Sequence, residues 1–236
     1  MTLFQKECFE DFLLDHNVVK FLVEPIILRS GRPSHYYVNC RALTDTIRRK
    51  DRLMEFLMAF ITEKRIDPDY FLGVPEGATK IALALNDYRS RIHGDDRYMD
   101  APWVQMRSRP KESHGSPGDR YFLGAVKAGD HTTVLEDVIT TGDSLLDRLH
   151  QIREAGLQVE SVIGLVNRQA RRRDGRSVQE TLASEGVRLE YLTESRGLLK
   201  RASERFRPDV SLLKLVEREV AQYSIESWTF NDEDKE

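Results

Sequence analysis

Two adjacent acids, Glu136 and Asp137, stand between an apolar stretch and a loop of small polar residues. Residues 132–135 are β-branched or apolar, which is typical of a strand buried on both faces of a parallel sheet. Carboxylates at the end of such a strand are costly to bury unpaired, so we expect them to face solvent, a cation or hydroxyl groups.

The loop that follows leads into leucines at helical spacing, so we expect it to open a helix. Its members are Thr140, Thr141, Gly142, Asp143 and Ser144. A helix N-terminus offers unpaired N–H groups and a partial positive charge, and small hydroxyl residues there suit a phosphate. The alternative is an ordinary strand–turn–helix unit in which Asp143 or Ser144 caps the helix. The neighbouring acids favour a ligand that carries both hydroxyls and phosphate.

The whole stretch, LEDVITTGDS, resembles the phosphoribosyl-pyrophosphate (PRPP) motif of type I phosphoribosyltransferases, and it is most similar to the orotate branch. The resemblance implies that Glu136 and Asp137 lie along the ribose 2′ and 3′ hydroxyls, with Asp137 acting in catalysis. It also implies that residues 140–144 hold the 5′-phosphate. The implied cofactor is Mg²⁺, bound mainly through PRPP oxygens, with Glu136 and Asp137 as the only candidate side-chain ligands.

A second motif, LRSGRPSHYYVNCR, covers residues 28–41. Taken alone it predicts a β-hairpin with surface arginines. It also resembles the N-terminal hood of the orotate-type enzymes, which implies that Arg29 contacts PRPP and that Tyr37 and Val38 lie beside the base. The family usually has Lys at the position of Arg29 and an aromatic residue at the position of Val38. These departures leave room for a different base.

A cationic segment, RSRPKESHG, covers residues 107–115 among Pro, Gly and Ser residues. Such a segment is usually a solvated loop. It resembles the orotate-type catalytic loop, in which Arg107, Lys111 and His114 match the PRPP-binding positions and Arg109 adds a cation. Lys111 and His114 are thereby implied to be catalytic, because positive donors stabilise the departing pyrophosphate. One extra residue stands between Lys111 and His114.

Two further strand ends complete the predicted site. Glu76, Gly77 and Ala78 follow a strand at residues 70–74, and by position in the family their N–H groups bind pyrophosphate, although a plain turn is as compatible with the sequence. Arg168 follows a strand at residues 159–166, where ligands bind in open α/β sheets. The resemblance implies that Arg168 and Thr140 bind orotate, with Arg168 forming a two-nitrogen fork to its carboxylate. The basic run at residues 171–176 is interpreted as a solvated loop.

Composition sets the outer limits. The chain has 236 residues, 40% of them hydrophobic and 32% charged, with a net charge of −3, which argues against a dedicated nucleic-acid binder. Its apolar runs are too short for a membrane span, and the N-terminus lacks a signal pattern, so we expect a cytoplasmic protein with no membrane partner. Cys8 and Cys40 match no metal-binding or redox spacing.

The predicted fold is α/β, similar to type I phosphoribosyltransferases, with a central and mainly parallel sheet flanked by helices. Residues 1–45 form the small N-terminal hood, which begins with two short helices within residues 3–23 and continues with a strand at residues 25–28. Residues 46–195 form the core, with a flexible catalytic loop at 107–120. Residues 196–236 form a C-terminal helical extension and an acidic tail.

The implied reaction is transfer of the phosphoribosyl group of PRPP to orotate, giving orotidine 5′-monophosphate and pyrophosphate. In this family the catalytic loop reaches the neighbouring subunit's site, which implies a homodimer. One alternative is a phosphoribosyltransferase for another nucleobase. The other is a non-catalytic regulator that senses PRPP.

Overall fold

The computed structural model describes residues 3–112 and 116–232, in which strands and helices alternate along most of the chain. The helices are α1 (Lys6–Asp15), α2 (Ile47–Glu63), α3 (Thr79–His93), α4 (Asp96–Met99), α5 (Pro117–Tyr121), α6 (Asp143–Glu154), α7 (Val178–Ser184), α8 (Ser195–Phe206) and α9 (Val210–Tyr223), with a 3-10 helix at Cys40–Thr44. The strands are β1 (Val19–Ile27), β2 (Pro33–Val38), β3 (Tyr70–Gly73), β4 (Gln105–Met106), β5 (Phe122–Leu123), β6 (His131–Ile139), β7 (Gln158–Asn167) and β8 (Arg188–Glu194).

A parallel sheet with the strand order β3-β6-β7-β8 forms the centre of the molecule. Side chains alternate between its two faces. Leu72, Val134 and Val162 enter one apolar cluster, whereas Leu135 and Ile163 enter the other. Both faces are therefore covered, which explains why the strands are apolar at consecutive positions rather than at alternate ones.

Helix α2 shows how the sequence produces one of the covering layers. The side chain of Thr46 accepts a hydrogen bond from the N–H of Arg49 and so caps the helix. Leu53, Leu57 and Phe60 recur at helical spacing and are almost completely buried. Full burial of such a side chain stabilises the fold by about 1.5–3 kcal/mol.

The N-terminal hairpin, β1 with β2, differs from the prediction. One helix, α1, replaces the two short helices expected, and β1 begins at Val19 rather than near Pro25. The reason is pairing with a strand further along the chain, because Val19 and Phe21 lie opposite Val38 and Tyr36 in an antiparallel register. Strand pairing has here overridden the local helical spacing.

The C-terminal segment, residues 196–232, runs back to the carboxyl end of β7. Helix α9 packs against both strands of the N-terminal hairpin. Beyond it, Ala170 and Ser224 form a β-bridge, and the N–H of Ile225 donates to the carbonyl of Gln169. The C-terminal segment therefore holds the loop that begins at Arg168.

The predicted α/β class and the predicted parallel sheet are both confirmed. The later elements lie close to their expected bounds. Within residues 3–112 and 116–232, none of the helices has both the length and the apolar content that a membrane crossing requires.

Candidate active site

A cleft of about 340 Å³ opens at the carboxyl ends of β3, β6 and β7, beneath the N-terminal hairpin. Most of the predicted ligand-binding residues line it. They are Arg29, Tyr37, Val38, Glu76, Gly77, Glu136, Asp137, Thr140, Thr141, Gly142, Asp143, Ser144 and Arg168. Residues separated by more than a hundred positions in sequence thus meet in one cavity of the size that holds a small ligand.

The acid pair lies inside β6, which continues to Ile139, rather than at the end of the strand as the sequence suggested. Glu136 is only 8% exposed. Burial raises the pKa of its carboxyl well above the usual range, and the neighbouring charge of Asp137 adds to this, while Arg29 opposes it. Two carboxylates held together in this way favour the approach of a cation or of hydroxyl donors.

Asp137 is held closely by its surroundings. Its Oδ1 accepts a hydrogen bond from the N–H of Val138 at 3.0 Å, and its Oδ2 lies 4.0 Å from Nε of Arg41. A Cβ atom added to Gly77 would overlap the carboxylate of Asp137. The absence of a side chain at Gly77 therefore lets the loop after β3 approach the acid pair.

The phosphate loop, residues 140–144, makes a tight entry into α6. Gly142 has a φ of +74°, which an L side chain rarely adopts, and a Cβ there would overlap Val178. The hydroxyl of Thr141 donates to Oδ2 of Asp143 at 2.8 Å. The loop is thus ordered by its own hydrogen bonds before any ligand arrives.

Arg172 does not line the cleft, but it is hydrogen-bonded to the phosphate loop. Its Nη1 donates to the carbonyl of Thr141 at 2.5 Å and lies 2.9 Å from Oδ1 of Asp143. The side chain is only 15% exposed. The interpretation of residues 171–176 as a solvated run is therefore wrong at this position.

The first two residues of the predicted catalytic loop are hydrogen-bonded to the loop after β3 and to α6. The hydroxyl of Ser108 donates to Oε1 of Glu76 at 3.0 Å. Arg148 of α6 donates to the carbonyls of Arg107 and Ser108 at 3.4 and 2.9 Å. Nε of Arg107 donates to the carbonyl of Phe122 at 3.0 Å.

The predicted loop cations are not among the residues that line the cleft of their own chain. None of Arg107, Arg109 and Lys111 lines the cleft. The N–H of Lys111 donates to the carbonyl of Arg120 at 2.9 Å, which joins the two described parts of this segment. The fourth predicted loop residue, His114, lies outside the described residues.

Arg168 lines the cleft together with Tyr37 and Val38. It is 4% exposed, and its guanidinium carbon lies 3.8 Å from the centre of the Tyr36 ring. Its Nη2 donates to Oγ of Ser34 at 2.8 Å and to Oε1 of Glu219 at 2.9 Å. Glu219, the partner on α9, lies outside every sequence motif that was used to predict the site.

Comparison with known proteins gives the family. An orotate phosphoribosyltransferase from Aquifex aeolicus is 32% identical over 191 residues, which cover 79% of this chain and 94% of that protein. The chain belongs to the orotate phosphoribosyltransferase family. The enzyme of the same name from Synechocystis is 34% identical over 144 residues, or 61% of this chain and 67% of the relative. No family model matches the chain.

Solved structures show the same fold at lower identity. The crystal structure of orotate phosphoribosyltransferase from Francisella tularensis has a TM-score of 0.66 and 17% identity, and the match covers 92% of this chain and 99% of that one. Leishmania donovani UMP synthase gives a TM-score of 0.69 and 20% identity, and the match spans 91% of this chain but 42% of that larger one. The fold of this family member is thus the one found in these enzymes.

The donor set fits a magnesium ion that is shared with a ligand. No group of three or more His, Cys, Asp or Glu side chains is arranged to hold a metal among the described residues. Glu136 and Asp137 instead present two hard oxygen donors beside the phosphate loop. Mg²⁺ is commonly bound through one or two carboxylates, substrate phosphates and water, so the pair suits an ion delivered with a pyrophosphate.

Several residues of the site were missed from sequence. Ser30, Asn39, Arg41 and Asp147 line the cleft, and all but Asp147 lie in or beside the hairpin motif. Oγ of Ser30 is buried and has no hydrogen-bond partner in the part of the chain that the structure describes, so it is available to a ligand. Its place between Arg29 and Gly31 was a signal that sequence reasoning could have used.

Proposed function

We propose that this chain transfers the 5-phosphoribosyl group of PRPP to orotate, giving orotidine 5′-monophosphate and pyrophosphate, a step of pyrimidine nucleotide biosynthesis in the cytoplasm. The observation that supports this best is the cleft itself. An acid pair, a phosphate loop at a helix N-terminus and a buried arginine line one cavity. These are the kinds of group that suit ribose hydroxyls, a phosphate and an anionic base.

The chemistry is a substitution at the anomeric carbon of the ribose. The bond from that carbon to the pyrophosphate oxygen breaks and the electron pair leaves with the pyrophosphate. The base nitrogen, having released its N–H proton to solvent, forms the new bond. The substrate anion is the nucleophile, so no Ser, Cys or His nucleophile is required. Bound Mg²⁺ supplies positive charge to the pyrophosphate oxygens.

The protein's own groups then have separate tasks in this proposal. Asp137 and Glu136 accept hydrogen bonds from the ribose hydroxyls and hold the ring as positive charge develops on it. The backbone at Gly77 and the residues of the phosphate loop position the two phosphate ends. Lys111 approaches the departing pyrophosphate when the catalytic loop closes and stabilises its negative charge.

We further propose that the catalytic loop acts in the active site of a second copy of the chain. Two large apolar side chains beside the paired strands β4 and β5 are exposed: Trp103, which precedes β4, by 64% and Leu123 of β5 by 43%. Arg107 directly follows β4, where the chain enters the loop. An exposed tryptophan of this kind is typical of an interface anchor. In the proposed homodimer these side chains pack at the subunit interface, and the loop cations reach the partner's cleft.

A base without a carboxylate is the second candidate substrate, since Arg168 already has a carboxylate partner in Glu219.

A turnover measurement tests the main proposal directly. Purified protein with PRPP and Mg²⁺ should consume orotate, measured as loss of its ultraviolet absorbance, and Asp137→Asn should abolish that loss while leaving the melting temperature within a few degrees. Binding of PRPP without any consumption of base would support the regulator instead.

A further inference from the structure

The guanidinium of Arg168 has no complete two-nitrogen edge left for a ligand. Its Nη2 carries two hydrogens, and one points to Oγ of Ser34 at 2.8 Å and the other to Oε1 of Glu219 at 2.9 Å. A carboxylate binds an arginine bidentately through either the Nε and Nη2 pair or the Nη1 and Nη2 pair. Because both pairs include Nη2, a second bidentate carboxylate requires one of the present acceptors to leave.

Of the two acceptors, Ser34 is fixed more firmly by the hairpin. It is completely buried, and its hydroxyl donates to the carbonyl of Tyr36 at 2.7 Å. Glu219 belongs to α9, outside the hairpin and the sheet, although its Oε2 accepts from the N–H of His35 at 2.7 Å. We therefore expect an incoming carboxylate to displace Glu219 rather than Ser34 from Arg168.

We propose that Glu219 determines the specificity of the base subsite by acting as the resident counter-ion of Arg168, which a carboxylate on the base must displace. This inference rests on the proposed function, because it assumes that the base binds beside Arg168. While Glu219 stays in place, the subsite holds a neutral ion pair and offers no complete two-nitrogen edge of the guanidinium. A neutral base then meets no opposing charge, whereas an anionic base competes with a carboxylate already bound.

The contacts of α9 give this exchange a structural consequence. The carbonyl of Tyr223, at the end of the helix, accepts from the N–H of Arg171 and lies 3.5 Å from Nη1 of Arg32. Those partners belong to the loop after β7 and to the turn between β1 and β2. If α9 moves when Glu219 leaves Arg168, the contacts of α9 with the loop after β7 and with the turn between β1 and β2 would therefore change as well.

The test compares Glu219→Gln with Glu226→Gln. Both remove one negative charge from the C-terminal segment, but Glu226 is exposed, beyond the end of α9. Calorimetry would measure the Kd of orotate and of uracil for each protein in the presence of Mg²⁺ and pyrophosphate. We expect Glu219→Gln to bind orotate about fivefold or more tightly than the wild type, with the Kd of uracil changed by less than about twofold. Glu226→Gln should match the wild type for both.

Unchanged or weaker orotate binding by Glu219→Gln would overturn the proposal, since it would show that Glu219 only orients Arg168 or that the base binds elsewhere. A crystal structure of the unaltered chain with orotate gives a second decision that needs no variant. The proposal requires Oε1 of Glu219 to move out of hydrogen-bonding range of Arg168, and a retained pair contradicts it. Failure of the wild type to turn over orotate would instead count against the proposed function.

Discussion

Arg172 Nη1 lies 2.5 Å from the carbonyl oxygen of Thr141 and 2.9 Å from Oδ1 of Asp143, so an arginine outside the cleft holds the loop that is proposed to bind the 5′-phosphate. A hydrogen bond to a charged group contributes about 1.5–3 kcal/mol. We therefore expect Arg172→Ala to raise the KM for PRPP by about tenfold or more, with a smaller effect on the KM for orotate.

Arg173→Ala is the matched control, because this neighbouring arginine is exposed. Steady-state kinetics of both variants would measure the difference. Equal KM values for PRPP in the two variants would show that Arg172 does not support the phosphate loop.

Gly77 provides a steric test of the acid pair. A methyl group at this position would overlap the carboxylate of Asp137, whose 16% exposed side chain has little room to move. Gly77→Ala should therefore reduce kcat/KM for PRPP by about a hundredfold or more, because misplacement of reacting groups by about 1 Å can cost that much.

The control for Gly77→Ala is Gly197→Ala in α8, where the three atoms nearest to an added Cβ are the side-chain ends of Lys6, Glu10 and Glu194 at 3.3 to 3.5 Å. That substitution should leave kcat/KM within about twofold of the wild type, since Ala is favoured over Gly in a helix. Full activity in Gly77→Ala would rule out the close approach between this loop and Asp137 during turnover.

Lys111 is proposed to act on the leaving pyrophosphate of the partner's site. Lys111→Ala should lower kcat by roughly a hundred- to a thousandfold, in line with the loss of one donor to a developing negative charge. The melting temperature should hardly change. A decrease of less than about threefold would contradict the assignment.

The same variant tests whether the loop acts between subunits. Lys111→Ala and Asp137→Asn, each inactive alone, should regain about a quarter of wild-type activity when they are mixed and allowed to exchange subunits. Half of the dimers would then be mixed, each with one intact site. No recovery, with exchange verified by mass spectrometry, would place the loop in its own subunit's site.

The two cysteines should differ sharply in reactivity. Cys40 is completely buried, and burial, together with the charge of Asp137, raises the pKa of its thiol well above the usual range. Cys8 is exposed. Because the thiolate is the reactive form, iodoacetamide at pH 8 should alkylate Cys8 and spare Cys40 in the native protein, as measured by peptide mass spectrometry. Equal modification of both under native conditions would contradict the burial of Cys40.

Local sequence patterns were sufficient to predict much of the fold. The apolar run at residues 132–135 predicted a buried parallel strand, and the leucines after Gly142 predicted a helix, because each signal depends on a few consecutive residues. The start of β1 at Val19 was missed because it depends on pairing with Val38, nineteen positions away. A single sequence does not encode that pairing in any local spacing.

The residues of the site likewise fall into those with a local sequence signal and those without one. Glu136, Asp137 and the phosphate loop form one continuous segment, so their types and spacing were sufficient to predict a shared cleft. Arg172 reaches Thr141 across 31 positions, and Arg168 and Glu219 are separated by 51. These contacts arise only when distant elements pack together, so Arg172 and Glu219 look like ordinary surface charges in the sequence.

The central claim is that the cleft transfers a phosphoribosyl group to orotate. The most direct test measures consumption of orotate, uracil, hypoxanthine and adenine in parallel by the purified protein with PRPP and Mg²⁺, each repeated with EDTA. The account predicts that orotate alone is consumed, that orotidine 5′-monophosphate and pyrophosphate appear in equal amounts, and that EDTA stops the reaction. Consumption of a different base, or tight binding of PRPP with no base consumed, would contradict it.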